Sequence, residues 1–153
     1  MVRRSPEGNN ETILIEDVRE GDQVLAKGTQ GLFFTEAIVV DLHPSSQSEA
    51  ITVKTKSGKE VTLTQEHLTI THVSGKQELV PARLIRLGSK VEVLDADGFT
   101  MLDEVIDVSP ADQSSVKGLA NIITGTETIV VNGIVGSIHS ENTTKTLARK
   151  IAR

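Results

Sequence analysis

Short apolar runs alternate with turn residues along almost the whole chain. Gln23-Val24-Leu25-Ala26 ends at Gly28-Thr29-Gln30-Gly31, and Leu32 to Leu42 follows as a long extended segment rich in Phe, Ile and Val. Ile51-Thr52-Val53-Lys54-Thr55 alternates with the period of two expected of a half-buried strand. Ser57-Gly58 turns it into Val61-Thr62-Leu63-Thr64, and Leu68 to Val73 continues to Ser74-Gly75-Lys76. Asp95-Ala96-Asp97-Gly98 sits between Val91–Leu94 and Met101–Val108 as a hairpin turn. Ile129-Val130-Val131 and Ile134-Val135 flank Asn132-Gly133, the pair that a type I′ turn favours because both residues tolerate positive φ. Ile13 to Ile15 is a further brief apolar run. Only the end reads as helical. From Thr143 to Arg153, Leu147 and Ile151 stand four apart among Lys145, Arg149, Lys150 and Arg153. The expected architecture is therefore all-β, a sandwich, barrel or related closed fold, with a short C-terminal helix.

The pattern also repeats. At an offset of 67 residues, Val18-Arg19-Glu20-Gly21 falls on Ile85-Arg86-Leu87-Gly88 and Val24 falls on Val91. With the same offset Ile38-Val39 falls on Val105-Ile106, and Ser57-Gly58-Lys59-Glu60 falls on Thr124-Gly125-Thr126-Glu127. Two copies are too few for a solenoid, so the repeat predicts a pseudo-two-fold pair sharing one core.

Composition narrows the chemistry. The 153 residues suit one domain large enough to bury a core without staples. There is no cysteine, so disulfides, thiolate metal sites and catalysis by a thiol of this chain are excluded. A net charge of -5, with no Trp or Tyr, argues against a nucleic-acid partner, which would favour basic patches and stacking rings. No apolar run approaches a membrane span. No apolar stretch follows Arg3-Arg4, as a secretory signal would need. His43, His67, His72 and His139 show no metal-ligand spacing, and Asp95 to Gly98 lacks the remaining ligands of a calcium loop. Neither a metal nor a cofactor is expected.

Three stretches together resemble the Hedgehog/intein (Hint) superfamily of autoprocessing domains, most of all its Hedgehog branch. Ile15-Glu16-Asp17-Val18-Arg19-Glu20-Gly21-Asp22-Gln23-Val24-Leu25-Ala26 is similar to the early family segment, in which an apolar residue precedes Gly-Asp and Val-Leu. Val61-Thr62-Leu63-Thr64-Gln65-Glu66-His67-Leu68 looks like the Thr-x-x-His block. Thr128 to Ser137 looks like the late Hedgehog-type segment, a Thr-Ile-Val-Val-Asn run before small residues. The order and spacing fit, and the resemblance extends to about Ser140. It implies a Hint-type fold over residues 1–142, with 143–153 as a short basic amphipathic tail. The tail reads as a solvated capping helix rather than a membrane anchor.

The resemblance also implies a chemistry. In the family, a cysteine at the first position attacks the preceding carbonyl to form a thioester. A His with a neighbouring hydroxyl polarises the amide and protonates its nitrogen. His67 and Thr64 match that pair. Residues three apart on one strand point to opposite faces, so Gln65-Glu66 must turn the chain if the two are to converge. Taken alone, Thr64 is an ordinary strand residue and His67 a half-buried strand-end histidine. Asp41 corresponds to the family's general base for the sterol hydroxyl that resolves the thioester. By its own chemistry Asp41 reads equally as a solvated carboxylate at a strand end.

The departures matter as much. The family's cysteine and part of its first strand are missing from a chain that opens Met1-Val2-Arg3-Arg4. The late position that is often cysteine reads Ile138, and His139 is followed by Ser140 where inteins carry Asn. Ser5 and Ser137 are poor substitutes, because a serine hydroxyl without a dedicated base is a weak nucleophile. The expectation is a monomeric autoprocessing domain that lacks its nucleophile. Its partners would be the upstream segment of its own precursor and a sterol or other hydroxyl acceptor. A secretory or extracellular setting would follow if it is a fragment of a Hedgehog-like precursor. The alternative is a degenerate, non-catalytic β module that binds another protein.

Overall fold

A computed structural model describes residues 1–43, 49–112 and 118–140. The expected C-terminal helix, 143–153, lies outside the described residues. Within them the chain is built of strands: β1 (Val2–Arg4), β2 (Asn10–Thr12), β3 (Gln23–Gly28), β4 (Gly31–His43), β5 (Ala50–Thr55), β6 (Glu60–Thr64) and β7 (Leu68–Val73). These are followed by β8 (Lys76–Pro81), β9 (Lys90–Leu94), β10 (Thr100–Pro110), β11 (Leu119–Thr124), β12 (Thr128–Val131) and β13 (Ile134–Ser137). One sheet runs β11-β4-β3-β1-β2 and the other β12-β13-β9-β10-β5-β6, with β7 joining β9 and β8. The architecture is all-β, as the alternating pattern predicted.

The turn chemistry explains the hairpins. Asn132 and Gly133 both take positive φ, 52° and 75°, as a type I′ turn requires, and register Val131 against Ile134. Asp95 closes the β9–β10 loop by accepting hydrogen bonds from the Asp97 and Phe99 amides, each 2.9 Å. Where apolar alternation is weak, the pattern failed to announce a strand. β8 is exposed over its first four residues, and β1 and β2 form a short polar hairpin. The apolar run at Ile13–Ile15 is not a strand but leads into a single 3₁₀ turn, Ile15–Asp17.

The duplication holds at the level of individual hydrogen bonds. The Ile15–Asp17 turn has its counterpart at Ala82–Leu84, 67 residues on. Gly21 N–H donates to the Ala37 carbonyl (2.9 Å) and Ala37 N–H to Asp22 (2.8 Å). In the second copy Gly88 N–H donates to Val105 (2.8 Å) and Val105 N–H to Ser89 (2.8 Å). The offset, however, is not constant. Gln23 pairs with Glu36 and Lys90 with Glu104, so β4 maps onto β10 with a shift of 68 (Ala37 to Val105). Ala37 pairs with Thr124 and Val105 with Thr55, so β5 maps onto β11 with a shift of 69. The true counterparts are thus Ile38 and Ile106, bulge residues that are 52% and 54% exposed, rather than Ile38 and Val105. Small differences in loop length add the extra residues.

The copies also exchange strands. The far half of β4 pairs with β11 of the second copy, and the far half of β10 pairs with β5 of the first. The core is consequently shared. One apolar cluster joins Val18, Val24 and Ala37 to Ile122, Ile129 and Ile138, with Met1 buried among them.

Candidate active site

Strand β6 ends at Thr64, and the chain turns through Gln65-Glu66, with His67 N–H donating to the Thr64 carbonyl at 3.1 Å. The turn is held from both sides. Gln65 N–H donates to Glu49 (3.3 Å), while Arg83 and Ala82 N–H donate to Gln65 (3.1 Å) and His67 (2.8 Å). The structure therefore brings Thr64 and His67 to one place by the turn their spacing demands.

The His67 ring is fixed by the end of the described chain. Its Nε2 lies 2.9 Å from the Ser137 carbonyl oxygen. A carbonyl can only accept, so Nε2 carries hydrogen. Neutral His67 thus keeps its lone pair on Nδ1, which has no partner among the described residues. Burial pushes the His67 pKa below its ordinary value of 6.5. The Ser137 carbonyl partly opposes that shift, and nearby His139 adds to it. Behind the ring, Leu68 N–H donates to His139 (3.0 Å) and His67 bridges to Ser140.

Thr64 and His67 line a cavity of about 590 Å³ whose walls are mostly apolar, with Ile122 and Ile129 among them. Most of its polar groups are already committed. The Thr69 hydroxyl donates to Val80 (2.6 Å), Ser137 Oγ accepts from His139 N–H (2.8 Å) and Thr62 pairs with Thr52 (2.9 Å). The Thr64 hydroxyl, also in the wall, has no hydrogen-bond partner among the described residues. Met1 stands close by. Its amino group donates to the Ile13 carbonyl (3.0 Å), and it packs in the cluster containing Ile122, Ile129 and Ile138, all of which border the cavity.

Asp41 is placed differently. It lies exposed on β4, directly opposite Asn121 of β11. The neighbouring pair Val40 and Ile122 turns into the core, so Asp41 faces away from it. Asn121 borders the cavity and Asp41 does not. Among the described residues no three His, Asp or Glu side chains gather as a metal-ligand set.

Two features of the cavity wall escaped sequence reasoning. The Ser137 carbonyl acts through its backbone, which no residue type announces. Asn121 lies on a strand too irregular in pattern to be predicted; only its position 69 residues after Thr52 could have drawn notice.

Comparison with known proteins settles the family. Residues 6–152 match the family described as the Hint module. The chain belongs to the Hint family. Its fold is similar to several solved inteins. An intein from a hyperthermophile superposes with a TM-score of 0.76 at 12% identity, covering 89% of this chain and 94% of the other. A DnaB intein from Synechocystis sp. PCC 6803 gives 0.69 at 15% identity, covering 89% and 92%. The gp41-1 intein gives 0.63 at 21% identity, again covering 89% and 92%. At such identities the likeness speaks to the fold of this Hint module alone. No curated protein sequence matches significantly.

Proposed function

We propose that this Hint module is the acyl-shift core of a self-cleaving precursor, with His67 and Thr64 as its activating pair. The observation that carries the reading is the His67 ring, held by the Ser137 carbonyl at Nε2 and left with an unpartnered Nδ1 beside the Thr64 hydroxyl's cavity. In the reaction, a cysteine sulfur at the head of the module bonds to the carbonyl carbon of the upstream segment. The carbon–nitrogen bond breaks, and the thiol proton ends on the departing amine by way of His67. None of the 153 residues is cysteine, so this chain by itself is expected to cleave nothing.

The finer assignment is to the Hedgehog type of processing rather than to splicing. The Thr128–Ser137 run supports it, and so does Ser140 after His139, which offers no Asn to cyclise. An external hydroxyl, in that branch a sterol's, then resolves the thioester. The resemblance gives Asp41 the role of its base. The second reading, a non-catalytic module that binds a protein partner, is favoured by the absence of any cysteine.

The test lengthens the chain with a family-type N-terminal strand, cysteine first, behind a reporter. Dithiothreitol or hydroxylamine should then release the reporter, because they intercept a thioester and leave an amide intact. His67→Ala should slow release by about 10²–10⁴-fold. Asp41→Ala should spare thiol-induced cleavage and impair attack by a hydroxyl acceptor alone. A folded, cysteine-headed protein that yields no thioester by mass spectrometry would leave the binding-module reading in place.

A further inference from the structure

Strand β13 ends at Ser137, and the pleat of its hairpin decides where the Ser137 carbonyl points. Asn132-Gly133 is a two-residue turn, so the flanking pair Val131–Ile134 exchanges hydrogen bonds, and Ile129–Gly136 does so again. Ser137, opposite Thr128, belongs to the alternate pairs, whose N–H and C=O point away from the partner strand. Its carbonyl is therefore directed out of the β12–β13 ladder, and the His67 ring meets it at 2.9 Å. Past Ser137 the chain turns. The Ser137 hydroxyl accepts from His139 N–H, two residues on, at 2.8 Å. A side-chain oxygen thus closes this turn in place of a backbone carbonyl. Two backbone bonds complete it. Ile138 N–H donates to the Glu127 carbonyl (3.2 Å), and Leu68 N–H to the His139 carbonyl (3.0 Å). Ser137 is 2% exposed, an unusual burial for serine.

We propose that Ser137 is the positioning residue of His67, and that its hydroxyl folds the turn that aims its own carbonyl at the ring. The proposal rests on the reading above that His67 carries the proton of an acyl shift. The hydroxyl fixes the turn, the turn fixes the carbonyl, and the carbonyl holds the imidazole. An acceptor at Nε2 selects the tautomer with hydrogen on Nε2 and the lone pair on Nδ1. Nδ1 must be bare in the resting protein if it is to take the thiol proton and pass it to the departing nitrogen. A methyl group at position 137 would leave the backbone carbonyl in the chain but strip His139 N–H of its acceptor. An amide left unpaired in this half-buried stretch is costly, so the turn would relax towards another partner and the ring would lose its aim. The Ile138 and Leu68 bonds keep the segment folded meanwhile. Serine serves here as an acceptor and not as a nucleophile.

Ring nitrogen-15 NMR of the chain itself tests the tautomer, at about pH 7.5 where burial keeps His67 neutral. The parent should show one form of His67, with hydrogen on Nε2. Ser137→Ala should show both tautomers, and Ser137→Thr, which keeps the hydroxyl, should restore one. The cysteine-headed reporter protein then gives the rate of forming the dithiothreitol-cleavable species. Ser137→Ala should slow it by up to about 10²-fold, the cost of misplacing a reacting group by ~1 Å, and Ser137→Thr should recover most of it. In a His67→Ala background Ser137→Ala should cost nothing further, because it acts through the ring. Urea midpoints of the same proteins separate aim from folding. A parental tautomer and rate in Ser137→Ala overturn the assignment, as do two tautomers in the parent. A slowing that persists in full without His67 overturns it in favour of a structural role, and so do rates that merely follow lost stability or variants that all fail to fold. If the cysteine-headed parent forms no thioester, the acyl-shift reading falls, while the ring spectra of the unmodified chain still decide whether Ser137 sets the tautomer.

Discussion

The first copy of the repeat closes its β5–β6 hairpin, and the second leaves β11 and β12 apart. From Ala50↔Thr64 to Lys54↔Glu60 the first hairpin is an unbroken ladder. At the equivalent place in the second copy only the turn end is tied, where the Thr124 hydroxyl lies 2.7 Å from the Thr126 carbonyl and 3.2 Å from that of Thr128. Beyond that point the strands diverge around the cavity that holds His67. The lesson is that duplication supplies two copies of a scaffold, and the site forms where one copy departs from the other.

The same asymmetry appears in the packing between copies. With the 67-residue shift of β3 onto β9, Leu25 corresponds to Glu92 and Lys27 to Leu94. Leu25 and Leu94 share an apolar cluster, whereas Lys27 and Glu92 form an ion pair, with His72 Nε2 4.0 Å from the second Glu92 oxygen. One contact of the pseudo-two-fold is greasy and its image is charged. Glu92→Leu alone should strip Lys27 of its partner and cost about 2–3 kcal/mol in urea unfolding. That is less than a fully buried pair would lose, because the Lys27 side chain keeps 27% of its surface in solvent. Copying the apolar contact with Lys27→Leu and Glu92→Leu together should recover most of that loss. If the double variant is as unstable as the sum of the singles, the two contacts are not interchangeable and the comparison breaks.

Much of this was legible in the pattern because the half-buried strands alternate and their turns use Gly, Asn and Asp. Asn132-Gly133 and Asp95–Gly98 are local chemistry, and they behave as local chemistry predicts. The Thr64–His67 turn was also legible, since the spacing of three demanded it. The drift of the repeat from 67 to 69 was not. A bulge or a longer loop changes register without changing residue character, so Ile38 matched Val105 as well by type as it matches Ile106 in space. Asp41 was legible in part. Its sequence position fits the family, while its exposure and its place opposite Asn121 depend on how β4 meets β11, which no local pattern encodes.

A second twin slot sharpens the comparison with a smaller effect. Ala37 and Val105 occupy the same position, fully buried and bonded through the same pair of backbone hydrogen bonds. Ala37 packs among Met1, Val18 and Val24, and Val105 among Val53, Val91 and Val93. Val105→Ala should cost about 2 kcal/mol, from the lost transfer energy of its methyl groups and the void they leave. Ala37→Val should cost about 1 kcal/mol through overpacking, since the first copy fills its slot with Met1. Urea midpoints check both. An Ala37→Val protein more stable than the parent would show that the first slot is underfilled.

The smallest effect concerns the residue that follows each β-turn, His67 after Gln65-Glu66 and Ile134 after Asn132-Gly133. His67→Ile makes the copies alike there and removes one titrating group. Burial holds the folded-state pKa of His67 below the value of about 6.5 it would have unfolded. Between those two values the unfolded chain binds more protons than the folded one, so stability rises with pH across the window. The contribution of neutral His67 is therefore complete above pH 6.5 and is lost as the pH falls from there through the lower folded value. Stability measured in urea from pH 7.5 to 5 should fall more steeply for the parent than for His67→Ile. Every other group is common to both proteins, so the difference between the two profiles isolates the ring at position 67. Because protonated His67 still has the Ser137 carbonyl to bond, the loss should be gradual rather than an abrupt unfolding. Parallel profiles for the two proteins would mean that water reaches the ring in the folded state, and that the His67 cavity is wetter than its walls suggest.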